Sequence, residues 1–159
     1  MIDAAQLLDD FSRACAKQGM VVPDIEHGRA LAPHVPPSLR SGKGAVYVFS
    51  LSERWGERSP AGPHRVLKVG KVGANSNPRF QYQHYNPRST RSSLASALLQ
   101  NRVLWPYLGN PSISESNIGD WVKEHLDRDH FFVAAAEADA RSMLEVYLRA
   151  RLGPVFEGG

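Results

Sequence analysis

The spacing of apolar and polar positions divides the chain into helical and extended stretches. Near the start, Leu7, Leu8, Phe11, Ala14 and Cys15 fall on one face of a helical period. Asp3 with Gln6 three positions on reads as a capping box, and Gly19 closes this helix. Pro23, Pro33, Pro36 and Pro37 then favour extended backbone. His27 and His34 lie in that segment without ligand-spaced partners and read as surface residues. Residues 45–52 and 66–72, rich in β-branched and aromatic side chains, predict two strands of an antiparallel pair joined by a long turn-rich loop. Simple alternation in the second strand puts Val66, Lys68 and Gly70 on one face and Leu67 and Val69 on the other. Pro78 suits the first turn of a short helix carrying Arg79 and His84.

Residues 86–92 form a basic, turn-like loop in this reading. Residues 93–107 predict a helix striped by Leu94, Leu98, Leu99 and Val103, and 109–117 a Ser/Asn/Gly/Pro-rich loop. A short helix over 120–126 is anchored by Trp121, and residues 130–135 supply a third strand. The last helix, 137–152, has Leu144, Leu148 and Leu152 on one ridge and stops at Gly153-Pro154. The expected fold is α+β, a small three-stranded, mainly antiparallel sheet flanked by helices. Residues 1–43 are an accessory helix and Pro-rich segment, and 44–159 the main domain.

A chain of 159 residues fits one compact domain with a single hydrophobic core. The single cysteine, Cys15, excludes an intramolecular disulfide and a multi-cysteine zinc site, and points to a reducing compartment, the cytoplasm. Its place on the apolar helix face makes it a buried small hydrophobe. No apolar run approaches the roughly 18 residues of a membrane helix, so no membrane partner is expected.

The net charge of +3 conceals a sharper pattern. From Arg58 to Ser114 there is no Asp or Glu, while Arg58, Arg65, Lys68, Lys71, Arg79, Arg88, Arg91 and Arg102 all fall in that window. The remainder of the chain is net acidic. A basic segment on an acidic protein points to a polyanion, DNA first, with RNA left open. Lys71, Arg88, Arg91 and Arg102 are the candidate nucleic-acid contacts outside the catalytic set. The N-terminal segment is free to serve a protein partner or self-association.

Two strands bear the tripeptides Ala45-Val46-Tyr47 and Lys68-Val69-Gly70. Arg79 and His84 follow on the next helix, and Glu145 lies on the last one. In order and spacing this set resembles the GIY-YIG nuclease family over about residues 44–157, with Ala for the first Gly and Lys for the second Tyr. Lys71-Val72-Gly73 is an alternative second tripeptide. The resemblance implies a GIY-YIG-like sheet and a divalent-metal-dependent endonuclease. Tyr47, Lys68, Arg79, His84 and Glu145 would be catalytic, with Glu145 holding one Mg²⁺, or Mn²⁺ in its place. The same fold without activity, as a nucleic-acid-binding module, is the alternative.

The residue types suit the chemistry. Phosphodiester hydrolysis needs an activated water, neutralised phosphoryl oxygens and a stabilised leaving oxygen. Tyr47 can orient or deprotonate water, with Lys68 as the cation that makes its phenol more acidic. Arg79 offers a planar fork to two phosphate oxygens. His84 can shuttle a proton or donate to phosphate. Glu145 is a hard oxygen ligand. Each also has a plainer use: Tyr47 and His84 as packing, Lys68 as edge protection, Arg79 as a surface charge, and Glu145 as the ion-pair partner of Arg141 and Arg149 four residues to either side.

Overall fold

The computed structural model describes residues 1–89 and 93–157. Helix α1 (Ala4–Lys17) starts where the Asp3 side chain accepts from the Gln6 N–H at 3.0 Å. Then come strands β1 (Ile25–Ala30) and β2 (Lys43–Leu51), helix α2 (Glu53–Gly56), strand β3 (Val66–Val72) and helix α3 (Asn77–Gln81). A 3₁₀ turn, Gln83–Tyr85, leads to α4 (Leu94–Gln100). Helix α5 (Ile118–His125), strand β4 (Leu126–Ala134) and helix α6 (Ala138–Leu152) complete the chain. Gly153 ends α6 in the left-handed region at φ 53°, where a side chain would be strained.

The sheet is antiparallel throughout, in the order β1-β4-β2-β3. It separates two apolar layers. On one face Tyr47, Phe49, Leu51, Leu67 and Phe132 pack against Trp55, Phe80, Tyr85, Leu94, Leu98, Ile118 and Trp121. On the other, Val46, Val48, Val69, Phe131 and Val133 meet Leu7, Phe11 and Cys15 of α1 and Leu144 and Leu148 of α6. Burial of these side chains, roughly 1.5–3 kcal/mol for each large one, is the main driving force.

The α+β class and the flanking helices agree with the sequence reading, but the sheet has four strands rather than three. The additional strand, β1, comes from residues 1–43. Its sequence, Ile-Glu-His-Gly-Arg-Ala, has no apolar alternation, and β4 supplies the pairing. Strand β4 also starts earlier than the expected 130. Asp127, Arg128, Asp129 and His130 are all buried within it. Polar residues that read as loop are strand because they have partners. Asp127 accepts from the Ala32 N–H at 2.8 Å, and Asp129 lies 2.7 Å from both His27 Nε2 and Arg29 Nε.

Three further expectations need correction. The helix expected over 93–107 ends at Gln100, where Asn101 turns its side-chain amide back to the Ala97 carbonyl at 2.7 Å. His34 is not a surface residue but buried, and His27 is half-buried against Asp129. In β3, a register shift opposite Phe49 and Ser50 breaks the alternation. Val66 therefore joins Val69 in the α1/α6 layer, and Leu67 lies in the opposite layer. Lys68 and Gly70 stay on the Tyr47 side, paired with Phe49 and Tyr47. Among the described residues, no helix is long and apolar enough to cross a membrane.

Candidate active site

The edge strand β3 is where the two layers meet. Tyr47 projects from β2 into the first layer and Glu145 belongs to α6 of the second. A cavity of about 380 Å³ at the β3 edge is lined by both, together with Lys68, Gly70, Arg79 and His84. The five side chains expected to form a site are thus brought to one concave surface. Gly70 makes this possible. A Cβ there would lie 2.6 Å from Tyr47 Cζ, so only glycine lets the ring lie across β3.

Around this cavity the charge is one-sided. Lys68, Lys71, Arg79, Arg141 and Arg149 line it, against the single carboxylate of Glu145. Arg149 Nη2 is 3.8 Å from Glu145 Oε2, so the ion pair read from the sequence is present but loose. Arg79 and Arg141 each have a buried Nε without a hydrogen-bond partner. Two guanidinium groups that line one cavity and are not fully engaged by the protein fit an anion with several oxygens. From sequence, Arg141 and Arg149 enter only as ion-pair partners of Glu145. Their spacing of four residues on either side of it already put all three on one helix face.

The Tyr47–His84 pair has a direction. The Leu94 backbone N–H donates to His84 Nδ1 at 3.0 Å. In neutral His84 the proton is therefore on Nε2, which donates to Tyr47 Oη at 2.5 Å. Burial, reinforced by Arg128, Lys68 and Arg79, takes His84 down to about 3, so the ring is neutral near pH 7. The Tyr47 hydroxyl hydrogen is then free to turn to the cavity. Burial pushes the Tyr47 phenol up to about 12, with Arg79 and then Arg128 pulling the other way. Burial, then Arg149, lowers the Lys68 ammonium, and Glu145 opposes them. His84 is thus a donor to the phenolic oxygen and cannot take its proton, which narrows the roles open to it from sequence.

The remaining basic residues divide. Lys71 reaches the cavity rim and donates to Ser142 Oγ at 2.9 Å. Arg88 is exposed, does not line the cavity, and pairs with Glu115 at 2.6 Å. Arg102 lies over the Trp105 ring at 5.3 Å, also away from the cavity. Arg91 lies outside the described residues. A second cavity, about 460 Å³, is lined by Glu53, Glu124 and Asp127 together with Arg54 and Arg58, a mixed-charge surface unlike the one-sided first cavity.

For a metal, the donor set is one hard carboxylate. Among the described residues no group of three or more His, Cys, Asp or Glu side chains is placed to hold an ion. A single carboxylate suits Mg²⁺, which keeps several waters and takes other ligands from substrate phosphate. The five cations make the same point, since they disfavour a free dication until a polyanion is present. No protein-family model, curated protein or solved structure matches this chain.

Proposed function

We propose that the protein hydrolyses phosphodiester bonds in DNA at the Tyr47–Glu145 cavity, by a GIY-YIG-type mechanism. The observation that carries this reading is the convergence of Tyr47, Lys68, Arg79, His84 and Glu145 on one cationic cavity. Arg79 and Arg141, which line the same cavity and each keep a buried Nε without a partner, support it.

In this reading the guanidinium groups of Arg79 and Arg141 hold the scissile phosphate and its neighbour. Tyr47 in its ionised form takes a proton from water, the resulting hydroxide attacks phosphorus, and the bond to the leaving oxygen breaks. His84 Nε2–H stabilises the phenolate before it takes the proton, as a fixed donor to the charged oxygen. Lys68, desolvated and lowered, is suited to give a proton to the leaving oxygen. Glu145 would hold one Mg²⁺ or Mn²⁺, which supplies charge neutralisation at the phosphoryl and leaving oxygens.

The test is incubation of purified protein with supercoiled plasmid, in Mg²⁺ and in chelator. Nicking in Mg²⁺ alone is expected. Salt-sensitive DNA binding without nicking in any divalent ion would favour the alternative, a binding module of the same fold.

A further inference from the structure

Beneath Tyr47 lies a charge that the mechanism above does not use. Arg128, on β4, is 0% exposed and among the described residues has no carboxylate partner. Its Nη2 donates to the Phe80 carbonyl at 2.5 Å and its Nη1 to Tyr85 Oη at 3.3 Å, while Nε is buried without a partner. Its guanidinium carbon sits 4.3 Å from the Phe80 ring centroid, 5.0 Å from Phe49 and 5.5 Å from Tyr47. Arginine stays charged under all working conditions, and an unpaired buried cation costs several kcal/mol. Three aromatic faces and two hydrogen bonds offset only part of that. A core that needed only volume here would be served better by Met or Leu.

We infer that Arg128 is a positioning residue for the reaction: the fixed, sealed counter-charge for an ionised Tyr47. This rests on the phosphodiesterase reading above and deepens it by assigning the group that stabilises the base. The groups facing Tyr47 fall into two sets. On the cavity side are Lys68, Arg79, Glu145 and Arg149. A bound phosphate engages those cations, so their charge is spent on substrate. On the protein side are His84, His130 and Arg128. His84 is neutral, and burial and Arg128 take His130 down to about 4, so it is neutral too. Arg128 alone in that set keeps a full positive charge when the cavity is loaded.

Its hydrogen bonds add a second effect. Phe80 and Tyr85 flank the segment that carries His84, and Arg79 precedes Phe80 on α3. One guanidinium therefore pins both ends of the segment that presents His84 to Tyr47. The direction of the Tyr47–His84 bond and the charge behind it favour the same state, an ionised phenol that accepts from a neutral imidazole.

The experiment uses the full chain without DNA. Tyr47 is replaced by a ring-difluorinated tyrosine, whose more acidic phenol titrates in an accessible range, and ¹⁹F shifts report its ionisation. The titration is repeated with Arg128→Met, Arg128→Gln and Arg128→Lys, each at a temperature where melting shows it folded. The midpoint should rise by about one pH unit or more in the two neutral variants, the scale of an opposite charge removed at this range. Arg128→Lys should return most of that rise. An unmoved midpoint in either folded neutral variant overturns the inference. Failure of both neutral variants to fold at 10 °C overturns it equally, because Arg128 would then be a structural pin. Lack of plasmid nicking by the wild-type protein would sink the phosphodiesterase reading and leave this titration standing.

Discussion

Two tyrosine–histidine pairs lie on the same side of the sheet, and they run in opposite directions. In one, the Leu94 N–H donates to His84 Nδ1, so His84 Nε2–H donates to Tyr47. In the other, His34 Nδ1 lies 2.8 Å from the Leu126 carbonyl, which can only accept. The proton is therefore on Nδ1, and Tyr85 donates its hydroxyl hydrogen to His34 Nε2 at 2.6 Å. The first phenol keeps its hydrogen for the cavity, and the second gives it to the core. One backbone group at the far ring nitrogen decides which tyrosine has chemistry left to do. Arg128 lies between them, donating to Tyr85 and stacked near Tyr47.

The largest expected effect is kinetic and confined to the first pair. Tyr47→Phe should lower the plasmid-nicking rate by about 100- to 10,000-fold, the range for a lost general base. Tyr85→Phe, the same atom removed from the second pair, should lower it far less, through the lost Arg128 contact alone. Equal losses from both would erase the distinction. Next comes Arg79→Ala, with a loss of roughly 100- to 1,000-fold as for other charge-stabilising donors, together with weaker DNA binding in chelator. Nicking by folded Arg79→Ala at the wild-type rate would remove that guanidinium from the phosphate.

How much of this was legible in the sequence follows from the physics of each residue. Tyr47, Lys68, Gly70, Arg79, His84 and Glu145 are carried by short motifs on apolar strands and helices, where periodicity is a strong signal. The residues that tune them were not legible. His34 looked like a surface histidine in a Pro-rich segment, and Arg128 sits in a run of Asp, Arg, Asp and His that has no apolar pattern. Their burial depends on partners far away in sequence: Leu126 and Tyr85 for His34, and Phe80 and Tyr85 for Arg128. Polar residues become core when distant groups satisfy them, and a local pattern does not contain that information. The bulge in β3 likewise arises from pairing with β2 and moved Val66 to the other face.

The third effect is on pH dependence. His34, lowered to about 4, and His84, lowered to about 3, both by burial first, are neutral in the fold, while a histidine in the unfolded chain protonates near 6.5. Between those values the unfolded state binds more protons, so stability falls as pH drops from about 6.5, through His34 down to about 4 and through His84 down to about 3, and is complete above that window. A loss of several kcal/mol across it is expected, read by urea unfolding at each pH. His34→Gln should remove a share of that slope. For Tyr47 the sign is opposite. Its phenol is raised to about 12 from an ordinary 10, so stability is intact below 10 and falls between 10 and 12. The nicking rate should instead rise tenfold per pH unit up to pH 9, since the ionised fraction does. A flat profile would make Tyr47 an orienting group and not a base.

The smallest effect, and the closest test of the comparison, is the stability of Tyr85→Phe. The Tyr85 oxygen does two jobs at once. Its hydrogen satisfies His34 Nε2, and its lone pair receives Arg128 Nη1–H. Removing it leaves an acceptor and a charged donor unpaired, both on buried residues. An unsatisfied buried group costs about 1–3 kcal/mol, more when charged, and the apolar ring is kept, so no cavity term is added. A loss of ~2 kcal/mol corresponds to a melting temperature lower by about 4–8 °C for a chain of this size. Tyr47→Phe also strands a donor, His84 Nε2–H, but both residues line the cavity, from which a water molecule can take the place of the lost hydroxyl. Its cost should be well under half as large. Urea unfolding of the two variants side by side measures the difference. If Tyr47→Phe proved the more destabilising of the two, Tyr47 would be the structural tyrosine, and the direction of its hydrogen bond would have no bearing on catalysis.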